Sequence, residues 1–210
     1  MPEWALIQRV HLEEGVDDDI SWKLTSNGQY STASAYKLQF FGLVESSLYK
    51  IVWKAWATPK AKNHGWLALQ NRLWMADRLR KRGWDNCGLC PLCKKTEETN
   101  NHLFVHCRFS VRVWELLKDW LHIQDLHPRL WAGLDIQDWW SLMVEGANPH
   151  RKGLASLVLL TIWEIWNERN ARVFWNKLSP SFVILEGIKC KARLWVLAGA
   201  KRLGDLIPGE

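Results

Sequence analysis

The feature that most constrains this chain is a cluster of three cysteines and one histidine between positions 90 and 107. Cys90 and Cys93 form a C-x2-C pair, His102 follows after eight intervening residues, and Cys107 follows after four more. A C-x2-C turn lets two thiolates reach one ion, and three thiolates with one imidazole are ligands that tetrahedral, structural Zn²⁺ sites accept. The sequence therefore predicts a structural zinc ion bound by Cys90, Cys93, His102 and Cys107.

Two other residues compete for places in this ligand set. Cys87 forms an overlapping C-x2-C pair with Cys90. His106 stands four positions after His102 and would share its helix face, whereas His102 and Cys107, five apart, diverge. Cys87 and His106 therefore remain alternative ligands. Whichever four residues bind, no coordination position is left for water, so the predicted ion folds the chain and does not catalyse.

The segment around the cysteines is poor in apolar residues, and we predict a loop from Cys87 to Asn101. Zinc binding, worth on the order of 10 kcal/mol in comparable sites, would order a loop that no hydrophobic core supports. From His102 onward, apolar residues recur at steps of three and four and predict an amphipathic helix that begins at the metal site. These residues are Leu103, Phe104, Cys107, Val111, Trp114, Leu117 and Leu121.

The rest of the chain predicts a mostly α-helical fold with a small N-terminal β-hairpin and a C-terminal helical extension. Alternation around Ile20 and Trp22, followed by Asn27-Gly28, indicates the hairpin. Ser31 or Thr32 then caps a helix that runs to Phe40. Further helices are predicted at Tyr49–Trp56, from Pro59 to Gly83, at Trp139–Val144, at Leu154–Phe174 and at Ser181–Leu203, with a linker at Gly146–Pro149.

Composition indicates a folded protein with a sizeable core and an intracellular location. The chain has 210 residues, of which 48% are hydrophobic and 16 are tryptophan, so it can bury a sizeable core. No charged segment followed by an apolar stretch opens it, and the apolar run Leu154–Trp166 is interrupted by Glu164 and too short to span a bilayer. We expect an intracellular protein, nuclear or cytoplasmic, with no membrane partner and with reduced cysteines.

Positive charge is concentrated immediately before the cysteines. The net charge is +6, and between Lys50 and Arg82 the basic residues face one acid, Asp77. Phosphate contacts by such side chains give affinity for nucleic acid without reading its sequence, and Trp84 beside them could stack on an unpaired base. The candidate phosphate-binding residues are Lys60, Lys62, Arg72, Arg78, Arg80, Lys81 and Arg82.

These residues resemble a known family, the zinc-binding domain found downstream of reverse transcriptase in plant non-LTR (LINE-type) retrotransposons. The similarity extends from about Ile20 to Trp114, and a later stretch, Ile162–Asn170, resembles the tail that follows the zinc motif. It is carried by Ile51-Val52-Trp53-Lys54, Pro59-Lys60-Ala61-Lys62, Trp66-Leu67-Ala68, Cys90-Pro91-Leu92-Cys93, Glu98-Thr99, His102-Leu103-Phe104, Cys107 and Val113-Trp114.

The resemblance implies a metal-binding module that contacts RNA or DNA and belongs with reverse transcriptase domains of a larger element. We divide the chain into a lead-in with hairpin and helix at 1–48, the zinc-binding domain at 49–125 and a helical region at 150–204. No residue pattern predicts an enzyme, and Cys87 with His64 or His106 forms no recognisable nucleophile motif. The alternative is a protein-interaction or structural domain with Trp-rich interfaces, which includes the case of a non-functional transposon remnant.

Overall fold

Helices make up most of the structure, a computed structural model that describes residue 15 and residues 21–38, 47–145 and 150–208. The chain divides into two compact units, Met1–Glu45 and Ser46–Glu210. Across the described ranges the backbone forms no strand and one isolated antiparallel bridge, between Leu89 and Glu97. The mostly α-helical prediction is confirmed.

The segment predicted as a hairpin forms turns over its described residues. The Trp22 N–H donates to the Gly28 carbonyl at 2.7 Å, and Gly28 has a φ of +68°, which favours glycine. Residues 21–31 thus close a loop without a strand ladder, and the hairpin prediction is not confirmed there. Ile20, its first predicted strand residue, lies outside the described residues.

The first helix begins at the predicted capping position. Helix α1 spans Thr32–Leu38, and the Ser31 hydroxyl accepts from the Ser34 N–H at 3.2 Å. The Trp22 indole N–H donates to the Ser34 hydroxyl at 2.8 Å, which ties the preceding turn to this helix. Phe40, predicted as part of the helix, lies outside the described residues.

The second unit contains helices packed around one long central helix. The predicted helices at Tyr49–Trp56, Trp139–Val144 and Leu154–Phe174 are found with shifted ends, and the Gly146–Pro149 linker lies outside the described residues. The helices are α2 (Ser47–Lys54), α3 (Pro59–Leu69), α4 (Ala76–Arg80), α5 (Arg108–Leu121), α6 (Ile136–Val144), α7 (Arg151–Trp175), α8 (Ser181–Leu197) and α9 (Lys201–Gly204).

The prediction of a single helix from Pro59 to Gly83 is wrong, because the chain leaves the helical conformation between α3 and α4. Asn71 has a φ of +51°, and its N–H donates to the Ala68 carbonyl while the Arg72 N–H reaches back to the Leu67 carbonyl at 2.8 Å. This pair of bonds with a left-handed residue is the Schellman arrangement that ends helices, and asparagine tolerates it. The basic residues therefore lie on two short elements.

Helix α7 forms the centre of the core. Its residues from Gly153 to Ile162 are all buried, and it packs against α3, α6, α8 and α9. Gly65 of α3 is required at one crossing, since a Cβ there would lie 2.3 Å from Leu159. A helical stretch without charged residues on any side must be surrounded by other elements, and residues 153–162 of α7 are such a stretch.

Four tryptophans fill the region between α5 and α6. Trp114, Trp131, Trp139 and Trp140 are at most 1% exposed. Their rings meet edge to face, with centroids 5.4 Å apart for Trp114 and Trp139 and 5.7 Å apart for Trp131 and Trp139. Such pairs stabilise a core beyond the apolar area they bury.

The last predicted helix is also divided. Helix α8 ends at Leu197, and Gly199 takes a φ of +111° before α9 begins. Within the described part of the chain, no helix combines the length and apolar character needed to cross a membrane.

Candidate metal centre and adjoining basic surface

The four predicted metal ligands lie together. One donor atom each from Cys90, Cys93, His102 and Cys107 falls within 4.8 Å of the other three. The Cys90 and Cys107 sulfurs are 3.8 Å apart, and the Cys93 sulfur is 3.3 Å from His102 Nε2. Sulfurs about 2.3 Å from a tetrahedral zinc ion are separated by about 3.8 Å, so the donor set fits Zn²⁺.

The backbone around the first two ligands is a tight turn. The Cys90 N–H donates to the Thr96 carbonyl and the Lys94 N–H donates to the Cys90 carbonyl, both at 2.8 Å. Lys94 takes a left-handed φ of +54°. The N–H groups of Lys95 and Thr96 then point at the Cys93 sulfur. We call residues 88–107, which contain this turn and all four ligands, the metal knuckle.

A break in the predicted amphipathic helix brings the last ligand into place. His102–His106 form one π-helical turn, Cys107 is extended with a ψ of 126°, and α5 starts one residue later. The break frees two carbonyls, and side chains satisfy them: Ser110 Oγ donates to Leu103 O at 2.5 Å and Trp114 Nε1 donates to Phe104 O at 3.3 Å. The prediction of one continuous helix from His102 is therefore wrong. On a regular α-helix His102 and Cys107, five residues apart, would point in different directions, and the break lets both side chains reach the same cluster.

The structure separates both rival ligands from this group. Cys87 is exposed and does not belong to the cluster of donor atoms. His106 is exposed, and its Nε2 donates to the Leu134 carbonyl at 2.8 Å. No disulfide links any of the five cysteines.

The ligand side chains shift one another's pKa. The pKa of the Cys90 thiol is raised to about 12, first by its contact with Cys107 and then by burial. The same contact holds the pKa of Cys107 below its usual value, and Cys90 raises the pKa of His102. A metal ion must displace their protons to bind thiolates and a neutral imidazole, so its affinity depends on pH.

The C-terminal end of α7 holds the metal knuckle directly. Arg172 Nη1 donates to the Leu92 carbonyl at 3.0 Å, between the two cysteines of the C-x2-C turn. Its Nε donates to Glu168 at 2.7 Å, and its guanidinium lies 4.6 Å from the centroid of the Phe109 ring. This arginine therefore connects the first two metal ligands to the central helix.

A buried ion pair forms the second connection. Arg169 donates to Glu98 through Nε at 2.7 Å and Nη2 at 2.9 Å, and their side chains are 6% and 1% exposed. A buried carboxylate is costly unless it is paired and hydrogen-bonded, and this pair is bidentate. Sequence reasoning assigned no role to either residue, although both lie in stretches that carry the family resemblance.

The same carboxylate positions α4 beside the metal knuckle. Glu98 Oε2 also accepts from the N–H of Ala76, the first residue of α4, at 2.9 Å. Asn86 Nδ2 donates to the Ala76 carbonyl, and Arg80 donates to Glu97 at 2.9 Å. The short helix α4 is therefore fixed by the knuckle as well as by its own turn.

The predicted phosphate-binding residues lie on or beside α3 and α4, and most of them are exposed. Lys62 donates to the Trp53 carbonyl, Arg78 donates to the Asn71 carbonyl, and Arg80 is occupied by Glu97. Trp84, the predicted stacking residue, is 68% exposed. The exposed basic residues are Lys60, Arg72, Arg80, Lys81 and Arg82, and those of intermediate exposure are Lys62 and Arg78.

Trp74 is a surface aromatic that the sequence analysis did not single out. It is 45% exposed, with the Arg82 guanidinium 4.4 Å and the Arg78 guanidinium 5.4 Å from its ring centroid. Its exposure could have been predicted only together with the helix break at Asn71, which places Trp74 between α3 and α4. We call Trp74, Arg78, Arg82 and Trp84 the α4 surface.

A second exposed surface is apolar. It surrounds the turn from α7 to α8, where the exposed fractions run from 44% for Val183 to 68% for Trp175. Large exposed apolar groups close in sequence are typical of interaction surfaces. We call it the α7–α8 patch, and its members are Val173, Phe174, Trp175, Leu178, Phe182 and Val183.

Comparison with known proteins identifies the segment that contains the ligands. Residues 30–114 match the protein family described as zinc-binding in reverse transcriptase. A putative ribonuclease H protein of Arabidopsis thaliana is 25% identical over 107 residues, which are 49% of this chain and 17% of that protein. No solved structure matches the chain.

Proposed function

Because residues 30–114 carry a zinc-binding domain of the reverse transcriptase family, we propose that this chain is a non-catalytic module that binds single-stranded nucleic acid at the α4 surface. The structural Zn²⁺ ion at Cys90, Cys93, His102 and Cys107 fixes that surface. The observation that carries the proposal is Trp74, which lies exposed against the guanidinium groups of Arg78 and Arg82.

The role of the ion follows from its ligands. Three thiolates and one imidazole complete a tetrahedral sphere, so the ion has no open position at which to activate water. Its contribution is to hold residues 88–107 in one conformation. The hydrogen bond from the Ala76 N–H to Glu98 then fixes the start of α4, which carries basic residues, against residues 88–107.

The chemistry of the α4 surface suits unpaired bases and phosphates together. An exposed indole offers a face on which any base can stack, worth about 1–3 kcal/mol per base, and arginines beside it contact phosphates. Trp84 supplies a second exposed indole within the same segment. Contacts of this kind tolerate many sequences, so the expected partner is single-stranded RNA or DNA without strict sequence preference.

A salt titration of oligonucleotide binding tests this proposal. The zinc-loaded chain and the triple variant Trp74→Ala, Arg78→Gln, Arg82→Gln are titrated against a fluorescent 20-nucleotide single-stranded RNA and its DNA counterpart. We expect the variant to weaken binding at least about tenfold and to reduce the salt dependence, since each phosphate contact contributes a slope of about −0.7.

The matched control places its changes away from α3 and α4. Trp175→Ala with Arg129→Gln and Lys177→Gln removes one exposed indole and two basic charges at exposed positions. Binding that is undetectable at low salt, or that falls equally in both variants, would contradict the proposal.

The exposed apolar residues support a second function, docking on another polypeptide. The α7–α8 patch carries two aromatic rings, Phe174 and Trp175, on one side of the turn and Phe182 on the other. Since the matched family is described as zinc-binding in reverse transcriptase, and the matched stretch is 17% of the Arabidopsis relative, the partner we propose is a reverse transcriptase part of a larger element.

Co-purification tests this second function. The remainder of the Arabidopsis relative is expressed as a separate polypeptide and mixed with the zinc-loaded chain. The double variant Phe174→Glu, Phe182→Glu should abolish the complex, whereas Leu197→Glu, at an apolar residue that is 84% exposed, should not. Equal losses in both would show that the patch has no specific role.

A further inference from the structure

A large groove lies away from the metal knuckle, between the end of α2, the start of α7 and the start of α9. Its volume is about 760 Å³, within the range of sites that hold small organic ligands. Its floor is apolar, formed by residues such as Ile51, Ala55, Ala155 and Leu203, and the Trp56 indole lines it. We call it the α2–α7–α9 groove.

The rim of this groove is basic. Its described lining includes five cationic side chains and one carboxylate, that of Glu145. Arg202 pairs with Asp205 at 3.4 Å, and because these side chains are 70% and 60% exposed, the pair does not neutralise the rim. The cationic residues are Lys54, Arg151, Lys152, Lys201 and Arg202.

The start of α7 adds to this positive potential. The helix has 25 residues, no acidic residue in its first turn and no side chain that caps it. The N-terminus of a helix carries partial positive charge and free N–H donors, which favour phosphate. Arg151 and Lys152 stand in that first turn and line the groove.

A glycine allows α9 to close the groove. Gly153 lies in the first turn of α7, and a Cβ there would lie 2.2 Å from the Arg202 backbone oxygen. The backbone of α9 therefore packs directly on the start of α7. Because of this contact, Lys201 and Arg202 face the same opening as Arg151 and Lys152.

We infer that the α2–α7–α9 groove binds one unpaired nucleotide of a single strand, with the base on the apolar floor beside Trp56 and the phosphate at the basic rim. An apolar cavity with an aromatic wall suits a planar base, and a rim of several cationic side chains suits a phosphate. The groove and the α4 surface share no residue, so this inference extends the proposed function and can fail independently of it.

Photo-crosslinking tests the inference. A 5′-phosphorylated tetranucleotide of RNA that contains 4-thiouridine is irradiated with the zinc-loaded full chain, and crosslinked peptides are mapped by mass spectrometry. We expect crosslinks in the segments that contain Trp56 and Leu203. The double variant Lys152→Glu, Lys201→Glu should weaken tetranucleotide binding about tenfold or more, because it reverses two rim charges.

Matched controls separate the possible outcomes. The double variant Arg129→Glu, Lys177→Glu makes the same charge change at exposed positions outside the groove and should bind as the unchanged chain does. The triple variant of the α4 surface should keep the groove crosslinks, so unchanged binding of the longer RNA by that variant would count against the α4 surface alone.

Two results would overturn the inference. One is crosslinking that maps only outside the groove, or that persists in Lys152→Glu, Lys201→Glu. The other is competition by polyglutamate that equals competition by single-stranded RNA of the same charge, since the site would then recognise anionic peptide and not a nucleotide.

Discussion

The metal knuckle and the helical core around α7 are stabilised by different forces. The core buries large apolar side chains, among them four tryptophans that contact one another edge to face. The knuckle is held by four metal ligands, by N–H groups directed at sulfur and by charged side chains from α7. These two parts of one compact unit should therefore unfold under different conditions, and removal of the metal should unfold the knuckle first.

Metal removal should have the largest effect. Chelation, or the change Cys93→Ala, should release one zinc ion per chain and abolish hydrogen-exchange protection in residues 88–107, while α7 keeps its protection. The binding energy of zinc at such sites is on the order of 10 kcal/mol, and the other contacts of the knuckle cannot compensate for a loss of that size. The measurement is metal analysis combined with hydrogen exchange followed by mass spectrometry.

Cys87→Ala is the matched control for that experiment. Cys87 is exposed and lies outside the donor cluster, so this variant should retain one zinc ion and full protection of the knuckle. Loss of zinc from Cys87→Ala, or unfolding of α7 at the same chelator concentration as the knuckle, would remove the distinction between the two regions.

The buried ion pair should show the next largest effect, because it joins the two regions. Arg169→Met leaves the Glu98 carboxylate buried without a counterion, and breaking such pairs costs about 3–5 kcal/mol. Denaturant unfolding of the zinc-loaded chain measures the loss. Arg112→Met, at an exposed pair with Glu115, should cost less than about 1 kcal/mol.

The double variant Glu98→Gln, Arg169→Met sharpens this test. Removing the charge of both partners should recover a large part of the loss, because the buried carboxylate no longer lacks a counterion. If the loss in free energy of unfolding of the double variant equalled the sum of the losses of the two single variants, the two residues would not be energetically coupled. The pair would then not connect the knuckle with α7.

His64 gives the core its own pH dependence. It is 4% exposed, has no hydrogen-bond partner at either ring nitrogen, and contacts Phe104, Trp163 and Trp166. Burial lowers its pKa from 6.5 to about 3. Below pH 6.5 the unfolded chain therefore binds a proton that the folded chain does not, and stability falls as the pH falls toward 3.

The change His64→Leu should remove this dependence. Between pH 7 and pH 5 the unchanged chain should lose about 2 kcal/mol more of its free energy of unfolding than the variant does, at 1.36 kcal/mol per pKa unit. Protonation of the metal ligands acts on both proteins alike, so the difference isolates His64. Identical pH profiles of the two proteins would contradict the assignment.

The helix break at Asn71 should give the smallest effect. Asn71→Ala puts a side chain less tolerant of the left-handed region at φ +51° and should destabilise the chain by about 1 kcal/mol, whereas Asn71→Gly should be neutral or slightly stabilising. Thermal unfolding measures both. Stabilisation by alanine would mean that α3 continues into α4 as one helix.

Local chemistry made much of this structure predictable. The ligand spacing identified the four residues that converge, and capping patterns identified the starts of α1 and α3, at Ser31 and Pro59. These predictions depend on residues close together in sequence, where spacing and turn preference decide the outcome. The family match to residues 30–114 confirms the resemblance drawn from the same motifs.

The failures concern contacts between distant residues and the points where helices end. An asparagine in the left-handed region ended α3, although the apolar spacing continued past it. The break at Cys107 depends on Ser110 and Trp114, which supply donors for the freed carbonyls. Periodicity could not show either, nor the exposure of Trp74, because these outcomes depend on how the segments pack.

The pairing of Glu98 with Arg169 has a consequence for how the chain is made. The two residues are 71 positions apart, so during synthesis every metal ligand leaves the ribosome well before the guanidinium that neutralises this carboxylate. A fragment cut at residue 114, where the family match ends, would keep the complete ligand set and lack Arg169 and Arg172, the two arginines that contact the metal knuckle. We therefore expect the smallest piece that folds on its own to extend at least through Arg172, and shorter expression fragments should aggregate or require refolding.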